Sequence, residues 1–73
     1  MLLECVPNFS EGRDRLRIEN IAAAIRSVKE VRLLGVDSGF STNRTVMTFA
    51  GPPAPVVEAA FRAMESAARH VSR

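Results

Sequence analysis

The sequence predicts an α+β domain with the element order β-α-β-β-α. Three observations carry that expectation. Apolar residues recur at helical spacing twice, through Ile18, Ile21, Ala22, Ile25 and Val28, and again through Val56, Ala59, Ala60, Ala63, Met64 and Ala67. Three short apolar or alternating runs, residues 2–6, 31–36 and 44–50, have strand character. Turn-forming residues separate these runs: Pro7-Asn8, the polar stretch from Asp37 to Asn43, and the prolines Pro52, Pro53 and Pro55.

The elements follow in order. Residues 2–6 make the first strand. Pro7 holds Val6 extended and removes the next ladder donor, so residues 8–12 are expected as a turn, with Asp14 or Ser10 capping the helix that follows. That helix, residues 14–28, presents the Ile18–Val28 stripe on one face and keeps Arg15, Glu19, Arg26 and Lys29 mostly elsewhere; Leu16 falls off the stripe. Residues 31–36 are nearly continuously apolar, which predicts a central place in the sheet or burial on both faces. A polar loop is expected next, with Asp37 and Arg44 at its two mouths. In residues 44–50, Thr45, Met47 and Phe49 share one face, and Arg44, Val46, Thr48 and Ala50 the other. The proline cluster then suits the first turn of a helix, where a missing N–H costs nothing, and that helix is expected to run to about His70. Glu58–Arg62 and Glu65–Arg69 are i,i+4 pairs in the favourable orientation, each contributing about 0.2–0.5 kcal/mol.

This order is the first five elements of a βαββαβ ferredoxin-like α/β sandwich, incomplete because its last strand is missing. In that layout the absent strand pairs beside the first, so residues 2–6 are left with an open apolar edge, a template for pairing. Residues 1–73 are therefore expected to be a single partial domain, completed by further polypeptide or by another copy in a homo-oligomer.

Composition bounds the function. A chain of 73 residues makes one small domain that leaves much of its surface wet. At 47% hydrophobic and 25% charged, with mean hydropathy +0.03, it is globular in character. The one cysteine, Cys5, forms no intrachain disulfide and no cysteine metal cluster; with no leader-like pattern at Met1-Leu2-Leu3-Glu4, a reducing, cytoplasmic setting is expected. No run approaches the roughly 20 apolar residues of a membrane span. The net charge of +2 is a mild bias, and Arg13, Arg15 and Arg17 interleave with Asp14 and Glu19 as a solvated helix start does. With four Phe and no Tyr or Trp, the stacking aromatics and dense basic face of a nucleic-acid binder are missing. The expected partner is a small-molecule substrate.

Each candidate residue has an ordinary reading beside a functional one. Asp37, in Val36-Asp37-Ser38-Gly39, suits an Asx turn, with a functional carboxylate as the alternative. Arg44 is either a surface arginine or an anion clamp using its planar fork. His70, the only histidine, borders the apolar face near a helix C-terminus, a dipole-compensating place, and is rejected as a general base. Cys5 reads as a small core hydrophobe. The stretch Ser10-Glu11-Gly12-Arg13 before a helix could receive an anion, although its glycines are too few for a phosphate loop. No metal-ligand constellation occurs. The residues alone thus offer two polar turns able to converge at one end of a sheet, and no complete catalytic set.

Longer strings add a resemblance. Glu4-Cys5-Val6-Pro7-Asn8-Phe9-Ser10-Glu11-Gly12 resembles the opening signature of the formiminotransferase family. Leu33-Leu34-Gly35-Val36-Asp37-Ser38-Gly39, Ser41-Thr42-Asn43-Arg44-Thr45-Val46, Thr48-Phe49 and Gly51 resemble its next signature, and Val56-Val57-Glu58-Ala59-Ala60 follows at the family's spacing. The resemblance covers the first part of the family's N-terminal subdomain. It implies an α/β sandwich and a transferase of histidine degradation and one-carbon metabolism, which moves the formimino group of N-formimino-L-glutamate to N5 of the cosubstrate tetrahydrofolate. The folate is expected in a tunnel between two subdomains. Asp37 matches the aspartate that assists the family's catalytic histidine, and Asn8, Ser10, Asn43 and Arg44 fall on substrate-facing motif positions. The resemblance places that histidine in a His-Pro-Arg-Met-Gly-Ala type segment past Arg73, and His70 aligns to an apolar helix position. By itself the chain is therefore expected to be inactive, since loss of the acid/base group costs about 10²–10⁴-fold. The alternatives are a stand-alone, non-catalytic module of the same fold that binds a ligand or partner, and an RNA-binding module, which the missing aromatics disfavour.

Overall fold

The computed structural model describes residues 1–69. It contains β1 (Leu3–Cys5), β2 (Asn8–Phe9), α1 (Arg15–Arg26), β3 (Arg32–Gly39), β4 (Arg44–Gly51) and α2 (Pro53–Arg69). The expected α+β arrangement is present, one antiparallel sheet with both helices packed on one face.

The sheet is organised around β4. Along one edge of β4 runs β3, paired from Arg32↔Ala50 to Gly39↔Arg44 with a bulge at Leu34. Along the other edge lie β1, at Leu3↔Gly51 to Cys5↔Phe49, and then β2, at Asn8↔Val46 and Phe9↔Thr45. The first strand is thus interrupted rather than ended by Pro7. Proline donates no ladder bond, but its carbonyl accepts the Met47 N–H at 3.1 Å, so the chain stays in register and pairs again at Asn8. The turn expected over residues 8–12 begins only after Phe9.

Burial along β4 alternates strictly. Thr45, Met47 and Phe49 are buried to 0% exposure beneath the helices, while Arg44, Val46, Thr48 and Ala50 face the other way. This strand is the centre of the sheet. The apolar run at residues 31–36 is instead an edge strand, with Leu34 and Val36 exposed. Continuous apolar character reflects its bulge: Leu34 is the extra residue, and Leu33 and Val36 on either side of it lie on the helix face.

The helices form as their patterns predict. Asp14 is the N-cap of α1 and accepts the Leu16 and Arg17 N–H groups. Ile21, Ala22 and Ile25 are buried, with Val28 just beyond the helix, and Leu16 is exposed. In α2, Val56, Ala59 and Ala63 are buried, and these small side chains bring the helix close to the sheet. Met64, expected in that face, is exposed because it sits on the flank of the stripe. Cys5 packs against the core as a half-buried thiol. The Glu58–Arg62 pair forms at 2.8 Å, whereas the Arg69 side chain and His70 lie outside the described residues. No helix among the described residues is long and apolar enough to cross a membrane.

Candidate functional site

The face of the sheet that the helices leave uncovered follows from the register. Residues directly opposite one another on antiparallel strands share a face. Val46 has Asn8 as its partner on one side and Asp37 on the other, so all three stand on the uncovered face in one row. Arg44, two residues before Val46, joins them there. An amide, a carboxylate and a guanidinium thus surround a half-buried Val46, and the three polar residues are exposed.

Asp37 is not at a loop mouth. The ladder runs on through Asp37, Ser38 and Gly39, and the turn is only Phe40 to Asn43. The carboxylate is therefore carried by a strand, which fixes its direction better than a loop does. Arg44 opens β4 on the diagonal from Asp37, and among the described residues no ion pair joins the two side chains.

The two polar turns do converge. Asn43 adopts the left-handed conformation, φ 54°, and its side-chain Oδ1 accepts the Gly12 N–H at 3.0 Å. Arg13 Nε donates to the Phe40 carbonyl at 3.0 Å, and its guanidinium lies 5.4 Å from the centre of the Phe40 ring. The buried Thr45 hydroxyl donates to the Glu11 carbonyl. Gly12 lies so close to the hairpin that a Cβ there would sit 2.4 Å from the Gly39 carbonyl oxygen and 2.5 Å from the Arg44 nitrogen. Glu11 and Gly12, expected from sequence only as part of a stretch able to receive an anion, instead tie that turn to the hairpin, and Thr45, expected only as an inward strand residue, joins them. The glycine carries a signal of a kind, since it stands between polar turn residues and a helix cap.

Asn43 accordingly faces inward, its oxygen taken by Gly12. Ser10 also stands apart from the row at Val46. It lines a separate cavity of about 320 Å³ with Glu11, Arg17, Ile21 and Ala67. Nor is the start of α1 open to an anion. The Glu11 carboxylate accepts the Asp14 N–H at 3.0 Å and pairs with Arg17 at 3.1 Å, and the Asp14 carboxylate accepts the Leu16 and Arg17 N–H groups. Of the five site residues expected from sequence, the structure gathers Asn8, Asp37 and Arg44, uses Asn43 to hold them, and sets Ser10 elsewhere. Among the described residues no three potential metal ligands gather.

Residues 2–72 match the family described as formiminotransferase domain, N-terminal subdomain. A formimidoyltransferase-cyclodeaminase of Dictyostelium discoideum is 54% identical over 66 residues, covering 90% of this chain and 12% of that protein. Its counterpart in Sus scrofa is 53% identical over 66 residues, again 90% and 12%. A glutamate formimidoyltransferase of Thermoplasma acidophilum is 49% identical over 67 residues, 92% of this chain and 22% of that protein. The chain thus spans about an eighth to about a fifth of the length of these relatives.

Proposed function

The chain belongs to the formiminotransferase N-terminal subdomain family, and from that premise we propose that it supplies one wall of the site at which a formimino group passes from N-formimino-L-glutamate to tetrahydrofolate. The observation that supports this reading most is the gathering of Asn8, Asp37 and Arg44 around Val46 on the uncovered face. The two ligands share a glutamate carboxylate chemistry that a planar guanidinium recognises in bidentate fashion. Arg44 takes that part, and Val46 offers an apolar floor beside it. Asn8 provides an amide able to donate to and accept from one polar group. Tetrahydrofolate, when bound, supplies the nucleophilic N5.

Asp37 acts as a positioning carboxylate. It accepts a hydrogen bond from one imidazole nitrogen of an acid/base histidine carried by other polypeptide, so that the second nitrogen faces the reacting group. The same further polypeptide supplies the other wall of the site. A cytoplasmic setting accords with the single unpaired thiol of Cys5.

The test is formimino transfer by the 73-residue chain mixed with a separately expressed remainder of a related glutamate formimidoyltransferase. Activity is expected on mixing, lowered about 10²–10⁴-fold by Asp37→Asn, with Arg44→Ala raising the KM for N-formimino-L-glutamate. A mixture equally active with both substitutions removes the reading.

A further inference from the structure

We infer that the peptide unit joining Glu11 to Gly12 is a clamp that aims the Arg44 guanidinium. Thr45 and Glu11 are then positioning residues for the ligand, a role that rests on reading Arg44 as the carboxylate-binding residue.

Arg44 opens β4 and has a strand neighbour on one side only. Gly39 of β3 pairs with it, whereas the β2 ladder reaches only as far as Thr45. The place beside Arg44 is taken by the Glu11–Gly12 peptide unit. Its carbonyl accepts the hydroxyl of the buried Thr45, and its N–H donates to Asn43 Oδ1 at 3.0 Å. The two side chains that flank Arg44 in sequence thus grip opposite ends of one planar group. Between them the Arg44 backbone lies against Gly12. Its nitrogen and oxygen are 2.5 and 2.8 Å from where a Gly12 Cβ would stand.

Two hydrogen bonds at opposite ends of a rigid plane stop the strand end from rolling about its own axis. Side chains alternate along a strand, so holding Thr45 inward holds Arg44 on the uncovered face. The plane is in turn braced on α1. The Glu11 carboxylate accepts the Asp14 N–H at 3.0 Å and pairs with Arg17 at 3.1 Å, and Arg17 also meets the N-cap carboxylate of Asp14 at 3.5 Å. The register of β4 does not need the Thr45 hydroxyl, because the backbone there is already paired with Phe9 and Ser38. What the hydroxyl adds is orientation at the neighbouring residue. A guanidinium that takes a carboxylate with both arms loses that match when its stem tilts by more than about 10–20°.

The test pairs Thr45→Val, which keeps the shape and removes the donor, with Thr45→Ser, which keeps the donor. In the 73-residue chain alone, Thr45→Val is expected to lower the NMR order parameter of the Arg44 amide while those of Met47 and Phe49 hold. In the mixture with the separately expressed remainder of a related enzyme, it should raise the KM for N-formimino-L-glutamate about tenfold and change kcat by less than about twofold. Thr45→Ser should restore both readouts, and in an Arg44→Ala background Thr45→Val should add nothing to KM. A merely structural loss reduces the amount of folded enzyme, which lowers apparent kcat and leaves KM where it was. Asn43→Gly removes the other hydrogen bond, should give the same split, and decides the matter if the valine variant does not fold. An unchanged Arg44 order parameter overturns the clamp. So does an unchanged KM in both variants where Arg44→Ala raises it, and Arg44 then keeps its role. An Arg44→Ala enzyme with unchanged KM removes that role and the clamp together.

Discussion

Asn8 and Asp37 are both partners of Val46, one from each edge of β4. Strand spacing sets their Cα atoms about 9–10 Å apart on the uncovered face. That separation admits a ligand group between the amide and the carboxylate, with Val46 beneath it. Both side chains are exposed, and none of the hydrogen bonds that hold the loops together uses them. Asn8→Ala and Asp37→Asn are thus expected to leave the unfolding free energy within about 0.5 kcal/mol, by urea titration, while transfer activity on mixing falls. A large loss of stability in either variant means that the residue belongs to the scaffold.

At Asn43 the expectation is reversed. Alanine there loses the acceptor for the Gly12 N–H and must still adopt φ 54°. Each of these costs about 1–2 kcal/mol. Glycine keeps the backbone freedom and loses only the hydrogen bond. Urea midpoints are expected in the order wild type, Asn43→Gly, Asn43→Ala. Equal midpoints for the two variants show that the left-handed turn carries no strain.

Gly12→Ala drives a methyl group into backbone on the facing hairpin, 2.4 Å from the Gly39 oxygen and 2.5 Å from the Arg44 nitrogen. Neither neighbour is a flexible side-chain end that can swing aside. The expected loss is about 1–3 kcal/mol, the usual range for overpacking. Amide shifts in the NMR spectrum should concentrate at Gly39 and Arg44.

Phe49→Ala opens the centre of the core, since the ring is buried at 0% exposure under both helices. Such truncations cost about 3–5 kcal/mol. A domain of this length has about 4–11 kcal/mol in all, at 0.05–0.15 kcal/mol per residue. The variant should therefore populate unfolded chain at 37 °C, seen as lost amide dispersion. Met47→Leu, which conserves volume, should cost under about 1.5 kcal/mol.

The helices and the buried face of β4 were legible because periodicity reports burial directly: Ile21, Ile25, Met47 and Phe49 sit where their spacing puts them. The position of β3 was not. An apolar run reads alike in a central strand and in a bulged edge strand, and only the pairing of β4 on both sides decides between them. Asp37 was misplaced by two residues for a related reason. Turn-forming or polar types fill 37–43 apart from Phe40, yet the ladder to Val46 and Thr45 outweighs their preference. The gathering of Asn8 with Asp37 was beyond local reading, since it depends on both strands choosing the same partner in β4. The second role of Asn43 was hidden because an acceptor aimed at another loop leaves no mark in spacing.

The dependence of every other strand on β4 also orders events in time. Gly39 and Arg44 are neighbours across a short turn, whereas Leu3 meets Gly51 from 48 positions away. The hairpin can close in about 1–10 μs, but the leading residues have no template until translation has passed Gly51. During synthesis Leu2 to Phe9 is then an apolar segment without a mate, and its docking is a late, entropically costly closure. Mutations in β1 are accordingly expected to act on unfolding rates, and those in the β3–β4 turn on folding rates.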